Sequence, residues 1–305
     1  MPKRYLVIDG GNFLSRIYFG HNKEDEEVLI GMIWHSTLAT LKYYAHKLKP
    51  NKIVIAFDRT SWRKGYTRSE EARTKKIYKE TRRQAMSSSE KEKYLLFLKH
   101  CNELQEVLDQ YTSLLILSAD LLEADDLIAG FAQIIGADGD NEIIIISSDS
   151  DLLQLISPNV QILDPKTLAV RTLDEWNNDR ELFLFEKCIR GDASDNIQSA
   201  YPRVRTTRIR KAYEDPYERA NLMNETWTDH ENTEYIVKHI YHENRHLIDL
   251  TKQPEDIRKL IQETIENEMN RKKKFSMFHI LRFIGKYKLK KISNEFSQFV
   301  PILSM

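Results

Sequence analysis

Four short runs of almost unbroken apolar residues limit what this chain can fold into. They lie at residues 5–8 (YLVI), 53–57 (IVIAF), 114–117 (LLIL) and 143–146 (IIII), and none alternates as a strand with one wet face would. Strands apolar on both faces must be covered on both faces. Stretches with helical spacing, over residues 30–49, 90–110 and 123–136, separate the runs. That order predicts an α/β fold, a parallel sheet with helices on both faces. Residues 160–163 read as a fifth strand. From about residue 175 the strand signal stops and charged helical periodicity takes over. The expected division is therefore an α/β domain over 1–180 and a smaller all-helical C-terminal region over 181–305.

A chain of 305 residues, 41% hydrophobic, can bury a core without disulfides or a structural metal. Cys101 and Cys188 are not in a Cys-x-x-Cys pair, and Cys101 shares a helical stripe with Phe97, Leu104 and Leu108. Both features point to reduced thiols in a reducing compartment. No apolar stretch reaches the ~20 residues that span a bilayer, and the first apolar run, ending at Asp9, is short for a signal peptide. The expectation is a cytoplasmic protein (host cytoplasm if viral) without membrane contact. Lys+Arg and Asp+Glu each number 46, so the net charge is zero and only the distribution of charge is informative.

The acids are clustered. Asp9 and Asp58 directly follow the first two apolar runs, and Asp149 follows the fourth after two serines. In an open parallel sheet the ligand crevice lies outside the carboxyl ends of the strands. Three carboxylates are thus expected at one edge, with Asp151 in the turn beyond. Any one of them is equally well explained as a turn former or helix cap; three at one end of one sheet favour a functional reading. Glu123, Asp125 and Asp126 crowd a helix start, where fewer acids would satisfy the dipole. Asp192 and Asp195 stand three residues apart, and a polar loop explains that pair as well as function does. Crowded carboxylates raise one another's pKa, and divalent cations relieve the repulsion. Loosely spaced oxygen donors suit Mg²⁺, which keeps several waters, better than zinc. Two such ions about 4 Å apart can activate water and stabilise the leaving oxygen of a phosphodiester.

The bases are clustered too. Between residues 59 and 83 ten Lys or Arg meet three Glu, a net of +7, with Trp62, Tyr66 and Tyr78 interleaved. Charge runs are usually solvated surface, but aromatics among cations suit stacking on unpaired bases with phosphate contact. Arg203, Arg205, Arg208, Arg210 and Lys211 fall within nine residues, a candidate grip on duplex backbone. A third run, 271–291, reads as helix surface. His242-Glu243-Asn-Arg-His246 matches the H-E-x-x-H zinc pattern. The match is short, and Arg245 stands between the histidines, so it is read as a decoy.

Taken in order, Val-Ile-Asp9-Gly-Gly-Asn, Ala-Phe-Asp58, Glu123-Ala-Asp125-Asp126, Ser-Ser-Asp149-Ser-Asp151 and Gly-Asp192-Ala-Ser-Asp195-Asn-Ile resemble the acidic motifs of the 5′-nuclease (flap endonuclease) superfamily. The likeness covers about residues 5–197 and, within the superfamily, is strongest to the ribonuclease H branch of the T-even bacteriophages. It implies an enzyme, a Mg²⁺-dependent 5′→3′ exonuclease and flap endonuclease that uses two ions, with Mn²⁺ as a substitute. Its substrates would be DNA and RNA/DNA hybrids with 5′ ends or flaps, including RNA primers in replication.

The resemblance further implies that Asp9, Asp58, Glu123, Asp125, Asp149 and Asp151 surround the metals near the scissile phosphate. Asp126 would be an extra acidic position, and Asp192 with Asp195 would complete a second metal site. Residues 59–89 resemble the basic arch. There Arg63 and Lys79 are candidates for the chemistry, and Arg63, Lys64, Lys75, Lys76, Lys79, Arg82 and Arg83 for the nucleic acid. Arg203, Arg205, Arg208 and Arg210, in the C-terminal region, are candidates for the duplex. A single-stranded-DNA-binding protein and a sliding clamp are the implied partners of a monomer. One departure is that residues 198–208 lack the glycines of the family's helix-hairpin-helix turn. Two other readings are a PIN-like ribonuclease for single-stranded RNA and a non-catalytic nucleic-acid-binding module.

Overall fold

The computed structural model describes residues 2–21, 26–80, 87–137 and 139–305. Its main sheet contains β1 (Arg4–Asp9), β2 (Lys52–Ala56), β3 (Leu115–Leu117), β4 (Glu142–Ile146), β5 (Val160–Leu163) and β6 (Val170–Arg171), in the order β3-β2-β1-β4-β5-β6. The first five run parallel. β6 pairs antiparallel with β5, which the sequence reading did not anticipate. The chain moves outward from β1 through β2 to β3, then returns to the other side of β1 with β4. That reversal opens a crevice at the carboxyl ends of β1 and β4.

The first helices along the chain are α1 (Gly10–His21), α2 (Glu26–Leu48), α3 (Trp62–Tyr66), α4 (Ser88–Tyr111), α5 (Ala124–Ile135) and α6 (Arg180–Arg190). There follow α7 (Thr206–Glu214), α8 (Pro216–Asn224), α9 (Val237–Ile248), α10 (Glu255–Asn270), α11 (Met277–Lys286), α12 (Lys290–Asn294) and α13 (Val300–Leu303). None is long and apolar enough to cross a membrane among the described residues.

The chain forms two compact units. One comprises Met1–Arg59, Ser88–Arg171 and Lys259–Met305; the other comprises Thr60–Ser87 and Thr172–Arg258. This differs from the expected boundary at 180/181. The reason is packing: Ile280, Phe283, Ile284, Leu289, Ile292 and Phe299 join Trp34, Leu38, Leu41, Phe97, Leu104 and Leu108 in one core with Leu6, Ile8, Ile53 and Ile55 of the sheet. Trp34 lies 5.5 Å from Phe283, ring centre to ring centre. On the other face α5 buries Leu127, Ile128 and Phe131, and Phe131 meets Tyr5 edge-on at 5.3 Å. Gly130 keeps α5 close to α10, since a Cβ there would stand 2.1 Å from Ile261.

The second unit has its own core of Phe185, Ile189, Ile209, Ala212, Leu222, Val237 and Ile240. It is not all-helical. β7 (Thr226–Thr228) and β8 (Glu234–Ile236) form an antiparallel ribbon, with Trp227 stacked on Tyr235. Buried Asn244 donates from its amide nitrogen to the carbonyls of Cys188 and Gln198, both at 2.8 Å, which ties the end of α6 to the loop that follows. Gly191 begins that loop at φ 69°, where a Cβ would stand 2.6 Å from the Gln198 backbone. Both thiols are buried enough to be pushed up to about 12.

Candidate active site

In the first unit the carboxyl ends of β1, β2 and β4 deliver the acids. Asp9 ends β1 and is 5% exposed. Its Oδ1 accepts the Asn12 N–H at 2.9 Å, and its Oδ2 accepts the buried Ser147 hydroxyl at 3.4 Å. Burial first, then the charges of Asp58 and Asp149, push its carboxyl up to about 7. Asp58, exposed beyond β2, accepts the Ala124 N–H through Oδ1 at 2.8 Å, which leaves it at the α5 N-terminus. A Cβ on Gly11 would stand 2.5 Å from Asp58 Oδ2 and 3.6 Å from Asp9 Oδ1, so this glycine keeps the space between the two carboxylates.

Asp149 follows β4 and turns back on itself. Its N–H donates to Ser147 Oγ at 3.1 Å, and its Oδ1 accepts the Asp151 N–H at 2.8 Å. Arg171, on β6, donates from one guanidinium nitrogen to the carbonyls of Ser147 (3.2 Å) and Asp149 (2.6 Å), bracing the loop from below. Asn12, Ser147, Arg171 and Gly11 escaped the sequence reading. Only the Gly-Gly-Asn text after Asp9 could have signalled two of them.

At the start of α5 the three acids separate. Glu123 is the N-cap and Asp125 lies half-buried in the first turn. Asp126 is 0% exposed, and its Oδ2 accepts the Glu123 N–H at 3.2 Å. Asp126 is therefore a capping residue, a correction to its reading as a metal ligand. Consecutive helical side chains diverge by about 100°, so Asp125 and Asp126 cannot face the same way.

The donor set fits a hard cation that keeps much of its water. All the candidates offer oxygen, Asp9 is buried beside two like charges, and Gly11 leaves a carboxylate-lined gap. Among the described residues no group of three or more His, Cys, Asp or Glu side chains forms a ready-made metal cage.

The second unit holds Asp192 and Asp195 with the basic segment. Burial opposes charge on Asp192, but the Ser194 hydroxyl, the Lys187 ammonium and two backbone N–H groups hold its carboxyl below the usual range. Lys187 Nζ stands 3.6 Å from its Oδ2. Asp195 Oδ2 accepts the Tyr78 hydroxyl at 2.7 Å and faces Lys79 Nζ at 3.6 Å. These two acids have cationic partners within the protein, so the repulsion that calls for a cation at Asp9 does not arise between them. Lys79 has φ 54°, a costly conformation for a long side chain, and the Asp195 carbonyl accepts its N–H at 2.8 Å.

Arg63 requires correction. It is 2% exposed, its Nε donates to the Leu247 carbonyl at 2.7 Å, and its guanidinium lies over the Trp62 ring at 4.7 Å. It anchors the segment and does not offer its guanidinium to a phosphate. Lys75 and Lys76 are exposed, whereas Lys64 and Lys79 are half-buried. Arg82 and Arg83 lie outside the described residues. Arg203 and Arg205 are exposed, while Arg208 pairs with Glu225 and Arg210 donates to the Glu175 carbonyl at 2.7 Å. The H-E-x-x-H match is no zinc site. His246 packs on Trp62 and Tyr66 with ring centres at 5.2 and 4.6 Å, and burial, then Arg63, hold its imidazole below the usual range.

A sheet reversed at β1/β4 with acids at its carboxyl edge defines an open α/β protein with an acidic crevice edge, and comparison gives the family. Residues 4–182, more than half the chain, match the model of the 5′-3′ exonuclease N-terminal resolvase-like domain. The chain belongs to the 5′-3′ exonuclease family. It is 28% identical over 204 residues to a 5′-3′ exonuclease of Buchnera aphidicola subsp. Schizaphis graminum, covering 64% of each chain. To a 5′-3′ exonuclease of Mycoplasmopsis pulmonis it is 30% identical over 209 residues, 64% of this chain and 61% of that one. To DNA polymerase I of Rhizobium leguminosarum it is 37% identical over 79 residues, 25% of this chain and 8% of that protein. The chain thus spans less than two thirds of each relative. In fold it is similar to the T5 D15 protein co-crystallised with metal ions, with a TM-score of 0.63 and 16% identity over 87% of this chain and 100% of that one. T5 5′-exonuclease with bound zinc gives a TM-score of 0.64 at 17% identity, over 87% and 100%.

Proposed function

We propose that this chain is a Mg²⁺-dependent 5′→3′ exonuclease and flap endonuclease that removes RNA primers and adjacent DNA from 5′ ends during replication. The observation that carries the reading is Asp9, buried at the end of β1 with the charges of Asp58 and Asp149 beside it. Family membership supports the reaction class. The T5 D15 flap endonuclease, a fold neighbour at 17% identity, is known in a complex with DNA and metal ions.

In the first unit Asp9, Asp58 and Asp149 would hold an ion, with Glu123, Asp125 and Asp151 at its margins; in the second unit Asp192 and Asp195, which face Lys187 and Lys79, are the candidates for a separate one. Bound divalent ions supply Lewis-acid stabilisation of the phosphodiester oxygens and a reactive water near neutral pH. The protein's own contributions are separate. Ser147 and Asn12 fix Asp9, and Ala124 N–H fixes Asp58. In the second unit, exposed Lys75 and Lys76, with half-buried Lys79 beside Asp195, would follow the 5′ strand. A single-stranded-DNA-binding protein and a sliding clamp are the proposed partners, and Mn²⁺ the proposed substitute ion.

A 5′-labelled DNA flap and a matched RNA/DNA hybrid, each with Mg²⁺ and with EDTA, test the reading. Cleavage of both from the 5′ end, abolished by EDTA, is expected. Cleavage of free single-stranded RNA alone would overturn it in favour of a PIN-like activity. For the duplex, Arg203→Ala with Arg205→Ala is expected to weaken binding and lower the slope of log affinity against log salt by about 1 per lost phosphate contact. Arg208→Ala should change the slope less, because that side chain is already paired with Glu225. Equal slopes for all three proteins would exclude this surface.

A further inference from the structure

Glu243, the central acid of the H-E-x-x-H match, has no part in the proposed chemistry, yet it is 4% exposed on α9. Its carboxylate accepts the N–H of Arg73, the N–H of Thr74 at 3.2 Å and the Thr74 hydroxyl at 2.7 Å. Successive backbone N–H groups converging on one acid form an anion nest, here filled by the protein's own side chain. Residues 67–80 contain no helix or strand, so their backbone groups need other partners. Four or five residues further on, Tyr78 and Lys79 meet Asp195, and the Asn196 amide donates to the Ile77 carbonyl at 2.9 Å. α9 holds the start of the segment as well, through His246 on Trp62 and Tyr66 and through the Leu247 carbonyl on Arg63.

We infer that Glu243 is a positioning residue for the nuclease reaction: from α9 it clasps the turn at Arg73–Thr74 and fixes the segment that presents Lys75, Lys76 and Lys79 to the 5′ strand. The functional part of this inference rests on the proposed activity; the clasp itself does not. Burying a carboxylate is costly unless charge-assisted hydrogen bonds compensate, and this one spends its bonds on a loop backbone, where only loop geometry benefits.

The test pairs limited trypsin digestion within residues 60–83 with cleavage kinetics on a 5′ flap. Glu243→Ala is expected to speed tryptic cutting of the segment about tenfold and to raise KM about tenfold more than it lowers kcat. Glu243→Gln, which keeps an acceptor, should restore most of both. Thr74→Val, which removes one donor and leaves Glu243 in place, should speed cutting about threefold and decides the matter if Glu243→Ala does not fold. A purely structural role would lower the melting temperature without the KM shift. Unchanged tryptic cutting in Thr74→Val, and in Glu243→Ala where it folds, overturns the clasp whether or not the chain is a nuclease. Faster cutting in a chain whose wild type cleaves no nucleic acid supports the clasp and overturns the proposed activity instead.

Discussion

Asp9→Asn is expected to abolish metal-dependent cleavage, a loss of ~10³-fold or more, while making the metal-free protein more stable at neutral pH. The two effects share one cause. Asp9 is buried next to Asp58 and Asp149, and its carboxyl is raised from 3.8 to about 7. Between those values the folded protein holds a proton that the unfolded chain has released. Stability from this group is therefore complete below about pH 4 and is lost as pH rises toward 7. At about 1.4 kcal/mol per unit the loss is of order 4 kcal/mol. Without metal, wild type should melt lower at pH 7.5 than at pH 5. Asn removes the titrating charge but keeps an oxygen for the Asn12 N–H. The variant's melting temperature should depend less on pH and exceed wild type by about 5 °C at pH 7.5. Melting curves in EDTA at both pH values, with cleavage assays in Mg²⁺, check both halves. A variant that cuts normally, or one whose metal-free melting temperature changes between the two pH values just as wild type's does, would refute the assignment.

Gly11→Ala is expected to separate activity from folding. The added Cβ would lie 2.5 Å from Asp58 Oδ2, so the carboxylate must swing aside. Because the displaced atom ends a side chain, the fold absorbs the change. Gly11 lies in the first turn of α1, where Ala is a better helix former by about 1 kcal/mol. The protein should fold as well as wild type and lose about 10²-fold in cleavage, the cost of misplacing a reacting group by roughly 1 Å. Gly10→Ala is the control. Its Cβ would press on the Ala56 carbonyl at 2.8 Å and the Phe57 ring at 2.9 Å, so stability should fall by about 1–3 kcal/mol. Thermal melting and flap cleavage of both variants distinguish these outcomes. Wild-type activity in Gly11→Ala would mean that the position of Asp58 is unimportant.

The five parallel strands were legible because a parallel sheet, buried on both faces, admits only apolar text; the antiparallel β6 and the β7–β8 ribbon carry no such text. Asp9 and Asp58 were legible because each directly follows an apolar run, and Asp149 because it stands two serines beyond one. Less visible was anything decided by direction in space. Asp125 and Asp126 look equivalent in the sequence, but the helix leaves one half-buried and turns the other to its own backbone. Arg63 reads as one cation among ten, although the Leu247 carbonyl and the Trp62 ring bury it. The stripe from Ile280 to Phe299 announces a buried helical face without saying which core receives it, so the chain's return to the first unit could not be foreseen. Glu243 was hidden for a related reason, since its partners are backbone groups 169 and 170 positions away.

Thermal melting of wild type and Asp9→Asn across a Mg²⁺ titration at pH 7.5 tests most directly whether these acids share a cation. An ion that binds only the folded state stabilises it by about 2.7 kcal/mol at a concentration about 100 times its dissociation constant. Wild type should climb steadily in melting temperature while Asp9→Asn stays nearly flat. Parallel curves for the two proteins, or no response in wild type, would contradict the account.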